Sequence, residues 1–261
     1  MLAVQRRDAI AERIRAEGRV LVTELSGDLG ITQETVRRDL DALELAGIAR
    51  RVHGGAVSAE RVSLVEAAVD ERVGRNPGGK RRIADLAARR LVALGATSVL
   101  IDAGTTTAAF AEALVQQWPQ RFAARLVVAT HAPAVAGILS RHPAIEVHVI
   151  GGRLRQLTGA AVGAQTLLAI QSLSPDVVVL GTNGLDEHGL STPDPEEAAV
   201  KTAIVAAGRR VACLVDASKV GASTLCRFAS LGELDVVVTD AEPDATVGAA
   251  LDGAGAEVHV A

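Results

Sequence analysis

The sequence predicts an α/β chain in two parts: an N-terminal winged helix-turn-helix, then a Rossmann-like domain built on a parallel sheet. Three observations lead there. The first 58 residues carry nine Arg, no Lys and nine Asp or Glu, in helical patterns with short breaks. From about Ala96 onward, short apolar runs alternate with Ala-rich stretches of helical length: "TSVLID", "RLVVAT", "EVHVIG", "DVVVLG", "RRVACLVD", "DVVVTD" and "AEVHV". Continuous apolar runs separated by helix-length segments mark parallel strands covered on both faces. Several of these runs also end in Asp, Gly or Thr, as expected where loops at the C-terminal edge of such a sheet meet a ligand.

The N-terminal module, residues 1–58, justifies its elements in order. Leu25 and Leu29 fall at i,i+4 on a short helix, which Gly30 stops. Thr32 can cap a second helix running to Gly47. Val36, Leu40 and Leu43 form one apolar stripe on it. At 100° per residue Arg38, Glu34 and Thr35 lie opposite that stripe, with Arg37 on its shoulder. A short helix, a Gly-containing turn and a longer helix with an exposed Thr/Arg face form the helix-turn-helix pattern. "ARRVHGGAV" then reads as a small β-wing carrying Arg50, Arg51 and His53. The DNA-contacting set is therefore Thr32, Gln33, Thr35, Arg37, Arg38, Arg50, Arg51 and His53. A helical hairpin with a solvated charged face, serving protein interaction, is the competing reading, and net charge does not decide between them. The arginines nevertheless cluster in the second helix and the wing.

The charged stretch "AERVSLVEAAVDERVGRNPGGKRR" reads as a connector, assigned to residues 59–74, and its Asn76-Pro77-Gly78-Gly79 is a strong turn signal. Residues 75–261 form the α/β domain. Hydrophobic residues make up 49% of the chain, enough for a core, but the longest apolar runs are strand-length and too short to span a membrane. The N-terminus has charges at every turn and no apolar core of a signal peptide, so the expectation is a cytoplasmic protein. Cys213 and Cys226 lack metal-ligand spacing and read as reduced thiols; neither a metal nor a cofactor is expected. A net charge of −4 gives no global sign of nucleic-acid binding, so a local patch must supply it.

"LIDAGTTTAAF", Leu100 to Phe110, is a buried strand, a tight Gly/Thr turn and a helix start. That arrangement gathers backbone N–H groups around one point and suits a phosphate. Asp102 precedes the turn, Gly104 makes it, and Thr105, Thr106 and Thr107 offer N–H and hydroxyl groups. The alternative is a plain βα loop in which Thr107 caps the helix. "GGRLR" would set Gly152 and Arg155 (or Arg153) nearby. "GTNGLD", with Asn183 and Gly184, and "DASK", with Asp216 and Lys219, also follow apolar strands. Loops that follow parallel strands converge on one sheet edge, so these segments can share one pocket. The chain has only three lysines, Lys80, Lys201 and Lys219; two of them lie in the pocket segments "EEAAVK", beside Glu197, and "DASK". A compact ammonium is not interchangeable with an Arg fork, so its use there fits a phosphate or sugar hydroxyl. A carboxylate inventory of Asp102, Asp186, Glu197 and Asp216 leaves aldose–ketose isomerase chemistry open.

"LVTELSGDLGITQETVRRDLDALELAGIARRVHGGA" resembles the signature of the DeoR family of bacterial transcription regulators. The resemblance continues through "DAGTTT", "GGRLR", "VGAQ", "GTNGLD", "GLSTPDPEEAAVK" and "DASKVG", and so covers nearly the whole chain. It implies a sensor domain with a fold like ribose-5-phosphate isomerase that binds a phosphorylated sugar rather than converting it. The implied partners are operator DNA and further copies of the chain, as a dimer or tetramer. The expected function is a sugar-responsive repressor; the alternative is a sugar-phosphate isomerase with an accessory helical domain. One departure stands out: where the family has Thr-Asn after the second strand, this chain has Thr130-His131. A His there can donate to a sugar oxygen or simply start a helix. The "TPDPEEAAVK" segment is similar to that of members tied to fructose or related sugar catabolism.

Overall fold

The computed structural model describes residues 3–17, 19–46, 48–52, 54–58, 72–120 and 125–261, with backbone alone for residues 15, 16, 19, 50–52, 57 and 58. The chain divides into two compact units, Met1–Val65 and Glu66–Ala261.

In the first unit, α1 (Ala3–Glu17), β1 (Arg19–Leu21), α2 (Val22–Leu29) and α3 (Gln33–Leu45) precede β2 (Ala49–Val52) and β3 (Gly55–Ser58). The stripe of Val36, Leu40 and Leu43 is buried against Ile10 and Ile14 of α1 and Leu25 of α2. Gly30 closes α2 in the left-handed region, and the Thr32 side chain accepts from Thr35 N to cap α3. The helix stops at Leu45, with Ala46 as its C-cap; Gly47 lies outside the described residues. The wing strands β2 and β3 pair antiparallel, and β1 adds a third strand that the sequence did not announce. Asp39, buried on α3, accepts from Arg6 Nε of α1 at 2.5 Å, so an ion pair fastens the first helix to the third.

In the second unit α4 (Pro77–Leu94) forms where the sequence suggested a turn. The cap and its distant partner Asp240, which accepts from the Asn76 amide at 2.8 Å, explain the correction. Asn76 accepts from Gly79 N as an N-cap, and Pro77 occupies the first turn, where its missing N–H costs nothing. Gly79 is required by packing: a Cβ there would lie 2.1 Å from Asp240 Oδ2. Turn residues thus become a helix start.

Beyond α4 the seven predicted strands form one parallel sheet. They are β4 (Ser98–Ile101), β5 (Leu126–Thr130), β6 (Ile145–Val149), β9 (Val177–Gly181), β12 (Val211–Leu214), β14 (Val236–Thr239) and β15 (Glu257–Val260). Their spatial order is β15-β14-β12-β9-β4-β5-β6. Inserted strands make a hairpin, β7 (Arg153–Arg155) with β8 (Ala160–Val162), and a small antiparallel sheet of β10 (Gly184–Asp186), β11 (Gly189–Thr192) and β13 (Cys226–Ala229). Alternate residues of each strand face opposite cores. Ile101 and Val179 join Ile83 and Leu91 of α4 and Phe110 and Leu114 of α5 (Thr105–Gln117), with Leu139 of α6 (Pro133–Leu139). Leu100 and Val178 join Ile170 of α7 (Ala164–Gln171), Val200 and Ile204 of α8 (Pro195–Ala207) and Leu251 of α9 (Ala245–Ala254). Among the described residues no helix is long and apolar enough to cross a membrane.

Candidate functional site

The order β12-β9-β4-β5 puts the loops after four central strands at one edge, and these loops build a polar cavity. Gly104, at φ 153°, turns the chain from β4 into α5, which starts at Thr105. Thr107 is therefore inside the first turn, its hydroxyl donating to Gly104 O at 3.0 Å, rather than the cap. Asp102, Gly104, Thr105, Thr106 and Thr107 line the cavity from this side. His131, Asn183, Glu197, Lys201 and Lys219 line it from the others. The cavity is narrow, about 30 Å³, but its rim at Gly104, Thr105 and Thr158 continues into a groove of about 460 Å³ between α4, α5 and the start of α6. A separate apolar cavity of about 310 Å³ lies at the opposite end of the strands, lined by Leu91, Phe110 and Leu214, and contains none of the predicted residues.

Asp102 organises the floor. Fully buried, its Oδ2 accepts from Lys201 Nζ and from Gly181 N at 3.1 Å, while Oδ1 lies 3.0 Å from His131 Nε2. Burial alone would raise this carboxyl, but Lys201 and His131 hold it well below the usual carboxylate range. Lys201 also donates to Gly181 O at 2.9 Å and lies over the Phe228 ring. His131 is neither a free sugar donor nor a simple helix starter. Its Nδ1 faces Ala161 O at 2.8 Å, and Ala103 N lies 3.2 Å from its Nε2. Both ring nitrogens face protein groups, and the residue positions Asp102.

Glu197 is likewise engaged: it accepts from the Thr158 hydroxyl and from Arg155 Nη1 at 3.2 Å. Arg155 also pairs with Asp194 at 3.2 Å, so it braces a wall residue and does not itself line the cavity. Thr130, Gly152, Gly184 and Asp216 are also outside the lining. Thr130 Oγ1 accepts from Ala132 N, Gly184 O accepts from the Thr182 hydroxyl, and Asp216 pairs with Lys219 at 3.5 Å. The cavity also includes Arg72, Thr158 and Thr182, which sequence reading missed. Thr158 lies on the hairpin between β7 and β8, and only the tertiary fold swings that hairpin over the sheet edge. Thr106 differs from its neighbours: it is 3% exposed and its buried hydroxyl has no hydrogen-bond partner among the described residues.

In the first unit, Gln33, Arg37 and Arg38 form an exposed row on α3. Arg38 is 79% exposed and lies 3.6 Å from Glu34, while Arg37 donates to Gln33 Oε1 at 3.3 Å. Thr32 and Thr35 are hydrogen-bonded to each other at 2.9 Å at the start of the same helix. Arg50 and Arg51 lie on β2 without described side chains, and His53 lies outside the described residues.

Residues 6–62 match the DeoR-like helix-turn-helix domain and residues 75–241 the DeoR C-terminal sensor domain. The chain belongs to the DeoR family. It is 35% identical to the HTH-type transcriptional regulator GlpR of Haloferax volcanii, over 99% of this chain and 98% of that one. It is 32% identical to the glycerol-3-phosphate regulon repressor of Escherichia coli K12, over 95% and 94%. Among solved structures, ribose 5-phosphate isomerase A from Methanocaldococcus jannaschii aligns over 57% of this chain and 55% of that one, at 14% identity and a TM-score of 0.40. As a DeoR-family chain it pairs a helix-turn-helix unit with an α/β sensor unit, and the relatives named above are regulators rather than enzymes.

Proposed function

We propose that this DeoR-family chain is a cytoplasmic transcriptional repressor of a sugar-catabolism operon, and that a phosphorylated sugar at the sensor cavity sets its operator affinity. The observation that carries the reading is the start of α5. There, backbone N–H groups of a helix N-terminus meet a buried Thr106 hydroxyl without a partner among the described residues, in a cavity whose walls include two lysines. The carboxylates are committed to Lys201, His131 and Arg155, which suits holding a ligand better than moving a proton. The exposed Gln33, Arg37 and Arg38 row would enter a major groove, with Arg50, Arg51 and His53 on the wing positioned for backbone contact. One recognition helix reads only a few base pairs, so the working form is a dimer or tetramer on paired half-sites.

The test is operator binding by fluorescence anisotropy, on a duplex selected from a random library with the full-length chain. Affinity should fall steeply with salt and should shift on addition of one member of a phosphosugar panel. Thr106→Asp places a carboxylate where the phosphate would lie. This variant should bind operator as the wild type does without ligand, yet ignore concentrations that shift the wild type. A normal response would put the phosphate site elsewhere.

A further inference from the structure

The buried His131 ring has one nitrogen between two groups that make opposite demands on it. Ala103 N–H donates to Nε2 at 3.2 Å, which needs a bare lone pair. Asp102 Oδ1 lies 3.0 Å from the same nitrogen, and a carboxylate oxygen can only accept, so it calls for a proton there. Across the ring, Nδ1 faces a second acceptor, Ala161 O, at 2.8 Å. A neutral ring with its proton on Nδ1 serves Ala161 and Ala103 but turns a lone pair on Asp102. The other neutral tautomer serves Asp102 alone. A doubly protonated ring serves Ala161 and Asp102 and releases Ala103 N–H. No protonation state serves all three. Ala103 and His131 both line the sensor cavity, and Ala103 is the residue before the Gly104 turn into α5.

We propose that His131 links ligand binding to a proton: an anion that accepts from Ala103 N–H turns the ring from its neutral to its doubly protonated form. This rests on the sensor reading above and adds to it a step that a fixed amide or hydroxyl at position 131 would lack. Once the anion takes Ala103 N–H, together with the amides at the start of α5, Nε2 loses its donor. It then takes one proton from solvent and donates to Asp102 Oδ1, so the carboxylate gains a partner and the anion gains a nearby positive charge. The charged groups around the ring are Asp102 after β4, Lys201 and Glu197 from α8, Lys219 of the "DASK" loop, and Arg72. Glu197 is engaged by Arg155 and Thr158. Despite its burial, Asp102 is held by Lys201 and His131 well below the usual carboxylate range, so it stays ionised near neutrality and the proton goes to the ring. Anion affinity therefore rises as pH falls through the range in which an imidazole changes charge.

Inorganic sulfate is the probe, because it stays dianionic at every pH used and cannot itself supply or take the proton. The full-length chain is titrated with sulfate by calorimetry at pH 6 and pH 7, each in two buffers of different ionisation enthalpy. Burial pushes Lys80, at the nearby groove, down only to about 8, so it is already charged at both values and does not contribute. Wild type should take up part of a proton per sulfate, and its affinity should rise on going from pH 7 to pH 6 by up to about tenfold, the limit for one linked proton. His131→Gln and His131→Asn carry amides that do not titrate; each should bind sulfate without proton uptake and with the same affinity at both pH values. A reading on the wild type alone keeps the test independent of whether those variants fold. In the chain labelled with 15N-histidine, long-range 1H–15N spectra at pH 7 should show a bare Nε2 at His131 without sulfate and protons on both nitrogens at saturation. No proton uptake by wild type, equal uptake in the variants, or a ring whose protonation is unchanged by sulfate overturns the proposal and leaves the sensor cavity intact. If wild type binds sulfate no better than Thr106→Asp does, the cavity reading itself falls, and the proton step with it.

Discussion

Asp102 and Lys201 are 99 residues apart in sequence and bonded at the floor of the cavity. Removing one partner of a buried pair strands the other charge. Lys201→Met should therefore cost about 3–5 kcal/mol at neutral pH, read by urea denaturation. The pH dependence follows from the sign of the shift. Because the folded Asp102 carboxyl is held low, its contribution to stability is fully present above the ordinary value of 3.8 and disappears as pH falls through the folded value. The gap between wild type and Lys201→Met should therefore be largest near neutrality and close in acid; a gap that widened in acid would contradict the pairing. His131, next to the same carboxylate, could be recognised in the sequence as a departure from the family's Asn, but its role could not. Its partners are Asp102, Ala103 and Ala161, and no local pattern links the last of these to the others. Cys213 gives a simpler check: burial pushes its thiol up to about 12, so it should resist alkylation until the chain unfolds.

Elements with local signals were read correctly, and those held by distant contacts were not. In α3 the cap and the stripe are both local: Thr32 is three residues from Thr35, and Val36, Leu40 and Leu43 repeat at helical spacing. Thr32→Ala should lower the stability of the first unit by about 1 kcal/mol, seen as a shift in its thermal transition. Helix α4 is the contrary case. Asn76-Pro77-Gly78-Gly79 has the composition of a turn, and what makes it a helix start is Asp240, 164 residues from Asn76, accepting from the Asn76 amide at 2.8 Å. Asp240 accepts also from Ala217 N at 2.7 Å, at the start of the "DASK" loop. Gly79→Ala would drive a methyl group into Asp240 and the Asn76 amide. A loss of about 1–3 kcal/mol is expected, the usual cost of overpacking. Wild-type stability in this variant would mean that the cap and Asp240 can both move aside.

At the scale of the whole chain, the regulatory proposal makes a thermodynamic demand. If a phosphosugar changes operator affinity by some factor, operator DNA must change phosphosugar affinity by the same factor, a coupling of typically about 1–3 kcal/mol. Calorimetric titration of the phosphosugar into the free chain and into the operator complex measures both sides. Unequal factors would mean that the two ligands are not linked through one protein equilibrium. Light scattering of the same complex checks the oligomer: a monomer both free and on DNA would remove the paired half-site geometry.

The sequence by itself determined the two-part organisation, the helix-turn-helix and all seven strands of the parallel sheet, because periodicity and capping are written within a few residues. It also predicted that the candidate residues gather at one sheet edge, since loops after parallel strands must converge there. The tertiary structure alone decided how the site's charges are spent. Asp102, His131 and Lys201 form one buried network, Arg155 serves as a brace for Glu197, and Thr158 arrives on a hairpin whose reach no local pattern encodes. Lys80 lines the groove from α4, before the first strand of the sheet, and its burial is set by what the other helices pack around it. Backbone conformation is mostly a short-range matter, whereas desolvation and ion pairing depend on which distant groups the fold brings within a few ångströms.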